Sequence, residues 1–171
     1  MASPNKLVIA AAGDLEIVFT RTFDAPRALV WEAMTQPELI RRWLFRPPGW
    51  TMTACEEDVR VGGAYHWAWN NESGPAMSMR GVYREVVPPA RDGSGGRLVR
   101  TEKFEFGCAP QAGEQLATML LTEERGRTLL TARVIYPSKE ARDGAIASGM
   151  ERGMSIGYDQ LDAMLAASTA R

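Results

Sequence analysis

The residues of this chain that could do chemistry are few. Its 171 residues include one histidine, His66, and two cysteines, Cys55 and Cys108. A metal site needs three or four ligands drawn from His, Cys and carboxylates, and a disulfide framework needs more cysteines than these. No metal ligand, cofactor or catalytic residue is assigned on this basis. Gly153-Met154-Ser155-Ile156-Gly157 matches the G-x-S-x-G elbow of hydrolases, but that elbow sits at a strand-to-helix turn and needs a histidine after the serine. Here the motif lies inside a helical pattern and the histidine lies upstream, so the hydrolase reading fails. His66 alternates with Tyr65 and Trp67, and the aromatic face is the core face, so His66 points outward. The cysteines read as ordinary half-buried thiols in a reducing compartment. Gly93-Ser94-Gly95-Gly96 lacks the Lys-Ser/Thr and the following helix of a phosphate loop. Arg41, Arg42 and Arg46, beside Trp43 and Trp50, read as a solvated helix face, with an anion or acidic partner as the alternative.

Arg100 and Glu102 are more informative. By strand alternation they share a face with Leu98, Phe104 and Phe106. If that face is the interior, two charges sit in apolar surroundings and must pair with each other or meet a polar ligand group. The alternative is a twist or bulge that carries Arg100 to the rim. Trp67, Trp69, Met79, Phe104, Phe106, Met150, Met154 and Tyr158 form either a plain core or the wall of a cavity. Methionine suits a cavity of variable contents. With Trp43, Tyr83, Arg100 and Glu102, these are the candidate ligand-binding residues.

The elements that must position them follow from composition and period. Apolar residues make up 45% of the chain, and 20 Lys and Arg oppose 21 Asp and Glu. That balance gives enough apolar side chain for a core and argues against a dedicated nucleic-acid binder. No apolar run reaches the ~20 residues that span a bilayer, and Leu7 to Ala12 is too short for a secretory segment, so a cytoplasmic location is expected. Residues 1–13 show no clear period and read as a flexible lead-in to one domain over 14–168. Asp14 to Phe23 alternates as a strand. Asp24 is expected to cap a helix with Pro26 in its first turn, and a second short helix carries Leu39, Ile40, Trp43 and Leu44. Strands follow over 50–59, 64–70, 77–87, 97–106, 114–123 and 127–136, with 88–96 a long mobile loop. A short helix spans 139–147. Ser148 and Glu151 then have capping-box spacing, opening a long amphipathic helix with Met150, Met154, Tyr158 and Leu161 on one side. Gly149, Gly153 and Gly157 on that helix imply either close packing against the sheet or room for a ligand. The class is α+β, mostly antiparallel.

The order of elements and several motifs resemble the SRPBCC (START/Bet v 1-like) superfamily, in its branch homologous to the heat-shock-protein-90 ATPase activator. The matching stretches are Thr20-Arg21-Thr22-Phe23-Asp24-Ala25-Pro26 with Val30-Trp31, then Pro37-Glu38-Leu39 with Arg42-Trp43, Val61-Gly62-Gly63, Gly81 to Pro89, Tyr136-Pro137-Ser138 and the helix from Gly149 to Leu161. The resemblance implies a helix-grip fold, in which a curved antiparallel sheet of about six or seven strands, with two short helices, holds a long C-terminal helix over a cavity. It offers no catalytic motif. It implies binding of a small hydrophobic or amphipathic molecule between sheet and helix. A co-chaperone-like interaction module and a cyclase- or hydratase-type enzyme using Glu102, Tyr83, Tyr158 or His66 are the alternatives. Members of this branch pair across an exposed surface, so a homodimer and a chaperone contact are further expectations. Arg100 departs from the pattern, since an apolar residue is expected there.

Overall fold

The computed structural model describes residues 5–106, 109–110 and 113–170. Cys108 lies outside them. In chain order the elements are β1 (Val8–Ala12), β2 (Glu16–Phe23), α1 (Arg27–Thr35), α2 (Pro37–Trp43), β3 (Trp50–Glu57), β4 (Ala64–Asn71), β5 (Gly74–Val87), β6 (Arg97–Phe106), β7 (Ala109–Pro110), β8 (Gln115–Glu124), β9 (Arg127–Ile135), α3 (Lys139–Ala147) and α4 (Met150–Thr169). The strands make one antiparallel sheet in the order β1-β2-β9-β8-β6-β5-β4-β3, with β7 paired to the end of β6 outside that path. The curved sheet grips α4, which is the expected helix-grip arrangement.

Two strands exceed the expected six or seven. One is the two-residue β7. The other is β1, which falls in the segment read as a lead-in. Val8–Ala12 pairs in register with 16–20 of β2, and Leu7 is buried just before it. The strand was hidden because it is alanine-rich and lies at the sheet edge, where alternation is not enforced by burial on both sides.

Alternation places the inner face. On β2, Ile17, Phe19, Arg21 and Phe23 are all buried, with half-buried residues between them. Arg21 is the unusual member. Its guanidinium meets Asp159 of α4 at 2.9 Å and also Asp162, so sheet and helix are joined by charge as well as by apolar contact. On β5, Gly81 is the point where two strands are stitched. Tyr65 of β4 lies opposite Gly81, and its hydroxyl donates to the Thr101 carbonyl of β6 at 2.8 Å. A Cβ on Gly81 would stand 1.8 Å from that carbonyl oxygen. Bulges between Met52 and Ala54, and between Tyr83 and Glu85, shift the register and add to the curvature.

The helix starts differ from expectation. Pro26, not Asp24, is the N-cap of α1. Asp24 instead accepts from Asn5 at 2.9 Å and pairs with Arg127 at 2.6 Å, because an exposed carboxylate beside an arginine gains more there. Gly149, at φ +78°, precedes α4 in place of a capping box, and Ser148 ends α3 with its hydroxyl donating to the Ala145 carbonyl. The left-handed turn at Gly149 sets the angle between α3 and α4. The 88–96 loop is tied rather than free. Buried Arg27 donates to the carbonyls of Ala90, Ser94 and Gly95 at 2.7, 2.8 and 3.3 Å. Among the described residues, no helix is long and apolar enough to cross a membrane.

Candidate functional site

The inner face of β6 is where polarity enters the core. Arg100 and Glu102 share a face of the strand with Leu98 and Phe104, and both charges act on Tyr158 of α4, while Val99 and Thr101 of the other face are buried as well. Arg100 stands between Tyr83 of β5 and Ala117 of β8, and Glu102 stands opposite Gln115. Across β5, Tyr65 and Trp67 of β4 offer their rings, and the guanidinium carbon lies 4.8 and 4.6 Å from the two centroids. This is cation–π geometry in partly desolvated surroundings.

Two carboxylates serve this one cation. Glu102 approaches Arg100 at 4.0 Å, the outer limit of an ion pair, and only 8% of its side chain is exposed. Glu57, at the end of β3, accepts from the Trp67 indole N–H at 2.7 Å and from the Tyr83 hydroxyl. Burial pushes the Glu102 carboxyl above its ordinary range, with Arg100 opposing the shift. Burial raises Glu57 as well, against the hydrogen bonds from Tyr83 and Trp67 and the charge of Arg100. Burial also raises the phenols of Tyr65, Tyr83 and Tyr136, and pushes Tyr158 up to about 12. All four phenols are neutral at physiological pH. The group can hold a polar substituent of a bound molecule by charge or hydrogen bond, and a carboxyl with a raised pKa can carry a proton there.

The core divides around these charges. One apolar cluster takes in Trp43, Trp67, Trp69, Tyr83, Leu161 and Leu165, with Met79, Met119 and Phe104 half-buried against it. The other joins Ile17, Phe19, Val134 and Tyr136 and draws in Met150 and Met154 of α4. Half-buried Tyr158 touches both, edge-on to Phe23 and stacked on Trp43 at 5.8 Å.

The predicted site residues therefore fall into three places. Tyr83, Trp67, Arg100 and Glu102 come together. Trp43, Met79 and Phe104 belong to or pack against the larger apolar cluster, Met150 and Met154 pack against the smaller, and Tyr158 packs against both; the Trp43 indole N–H is committed to the Ala33 carbonyl at 2.9 Å. Trp69 and Phe106 form a separate aromatic group with Phe45 and Trp50, and Phe106 is 40% exposed. His66 is on the outer face, 3.7 Å from Glu56. Glu57 escapes sequence reasoning. Strict alternation from Met52 turns Glu57 outward, and the bulge after Met52 reverses it. Two clefts of mixed lining lie elsewhere. One, of about 300 Å³, is beside Asn5, Asp24 and Asp162; the other, of about 400 Å³, lies by Arg27, Pro89 and Glu123.

Gly157 explains how α4 sits so close to α2. A Cβ there would stand 3.4 Å from the Trp43 carbonyl oxygen, and one on Gly153 would stand 3.3 Å from the Phe45 ring. The glycines thus fit α4 to α2 and the residues after it, rather than to the sheet.

The same fold occurs in proteins of known structure. The chain is similar to a protein from Rhodobacter sphaeroides, with 32% identity, TM-score 0.84, and coverage of 95% of this chain and 99% of that one. A protein from Staphylococcus epidermidis is 25% identical, with TM-score 0.75 and 94% of each chain covered. One from Mycobacterium smegmatis, 21% identical with TM-score 0.77 over 93% of this chain and 96% of that one, shares the fold. Among curated proteins, none matches the chain. The family described as Activator of Hsp90 ATPase homolog 1-like protein matches residues 24–166, from the residue after β2 into α4. The chain belongs to that family, within the SRPBCC superfamily.

Proposed function

We propose that the chain binds a small amphipathic molecule between the inner face of the sheet and α4. The observation that carries this reading is the loose contact of Arg100 with Glu102. A buried pair serving structure alone closes to hydrogen-bonding distance, since that is what offsets its desolvation. Arg21 does so with Asp159 at 2.9 Å. Arg100 and Glu102 stay 4.0 Å apart. Arg100 is engaged by the Tyr83 hydroxyl, whereas Glu102 receives no hydrogen bond there, and its oxygens are what a polar headgroup would use. The half-buried methionines and aromatic rings around them supply an adaptable apolar surround for its tail. The test is displacement of the neutral dye N-phenyl-1-naphthylamine by dodecanol, with native mass spectrometry of the complex. Saturable one-to-one binding is expected. A chain that binds neither the dye nor any apolar probe overturns the reading.

Family membership favours a second reading, contact with a chaperone ATPase, through the exposed Arg41 and Arg42 of α2. An ATPase rate of an Hsp90-type chaperone that changes with added chain supports it. A rate unchanged at saturation counts against it.

A further inference from the structure

We infer that the site beneath α4 selects an amphipathic amine over an amphipathic acid. This rests on the reading that a small molecule enters there, and it follows from the charges that line the place. Arg100 is the cation on the inner face of β6, and the carboxylates of Glu57 and Glu102 both turn toward it. Arg21, buried on the inner face of β2, is already held by Asp159 and Asp162 and has no charge to spare. Tyr65, Tyr83, Tyr136 and Tyr158 surround the group as neutral hydroxyls. When both carboxylates are ionised they outnumber Arg100, and a bound cation would favour that state over the protonated carboxyls that burial promotes.

The two carboxylates are not equally needy. Glu57 already receives the Trp67 indole and the Tyr83 hydroxyl. Glu102 has Arg100 as its partner among the described residues, at 4.0 Å and without a hydrogen bond. Arg100, for its part, has Tyr65 and Trp67 against the guanidinium and shares its charge between two carboxylates. An entering carboxylate would bring a third negative charge to one cation. An alkylammonium brings three N–H donors and the missing charge, and its tail can lie against Met79, Met119 and Phe104. An alcohol supplies a donor without the charge and should fall between them.

The experiment compares dodecylamine, dodecanol and dodecanoate on the wild-type chain near neutral pH, below their aggregation concentrations, by displacement of N-phenyl-1-naphthylamine. Affinity should fall in that order, with at least about tenfold between amine and acid, the ratio given by one ordinary charge-assisted contact. The Glu102→Gln variant, its fold checked by near-ultraviolet circular dichroism, should bring amine and alcohol to similar affinity. Glu57→Gln also removes a negative charge but leaves the carboxylate that lacks a hydrogen bond, so it should lower the preference less than Glu102→Gln does. An acid that binds as tightly as the amine, or an amine that gains nothing over the alcohol, overturns the inference while leaving the binding reading intact. If none of the three displaces the dye, the binding reading itself fails, and the inference with it.

Discussion

Glu102 and Glu57 hold their protons more firmly in the folded chain than in the unfolded one, because burial penalises both carboxylates more than Arg100 rewards them. The folded state therefore binds more protons than the unfolded state at any pH between the ordinary glutamate value, about 4.3, and the raised ones. Their contribution to stability is present below that window and is lost as pH rises through it. Glu102→Gln removes one of the two titrations. Urea denaturation of wild type and variant at about pH 5 and about pH 8 checks this. The stability difference should move in the variant's favour at the higher pH, and a difference that does not change with pH would show that Glu102 ionises as a free carboxyl. Bound alkylammonium should compress the same effect, since it favours the charged carboxylate.

Two glycines show how elements decide what a side chain may do. Both lie at close approaches, yet their substitutions should differ in sign. At Gly81 an added methyl would stand 1.8 Å from the Thr101 carbonyl oxygen, within the β4–β5–β6 stitch. Gly81→Ala should cost about 3 kcal/mol or more, and it should loosen Tyr65 from beneath Arg100. At Gly157 the added methyl meets the Trp43 carbonyl at 3.4 Å, an ordinary contact, and the helix gains the propensity of alanine. Gly157→Ala should be neutral or stabilise by up to about 1 kcal/mol. Thermal or urea unfolding separates the two outcomes. Elements were also where the sequence was most legible. Helical period and proline placement found α2, and alternation found β4 and β6 and put Arg100 and Glu102 on one face, leaving open whether that face turned inward. What it could not reach are features set between elements. The Met52 bulge turns Glu57 inward, Arg127 draws Asp24 away from a capping role, and Gly149 replaces a capping box with a left-handed turn. None of these has a period to read.

At the scale of the whole molecule, sheet order and chain order disagree. β3 to β6 form a meander of neighbours in sequence, but β2 lies between β1 and β9, so Phe19 pairs with Ala132 and Ile17 with Val134. The site inherits this, because α4 rests on β2 through Arg21 and Phe23 and on α2 through the stacking of Tyr158 on Trp43. A sheet dominated by such distant pairings should refold in the millisecond-to-second range, slower than a helical chain of this size. Stopped-flow tryptophan fluorescence measures that rate. The ribosome delivers β2, with β1 beside it, long before β9 and α4. Until the last quarter of the chain emerges, Ile17, Phe19 and Phe23 have no completed core to enter, and Arg21 has no counter-charge. The nascent protein thus carries an uncovered apolar strand through most of its own synthesis, and its yield in the cell should depend on what shields that strand in the interval.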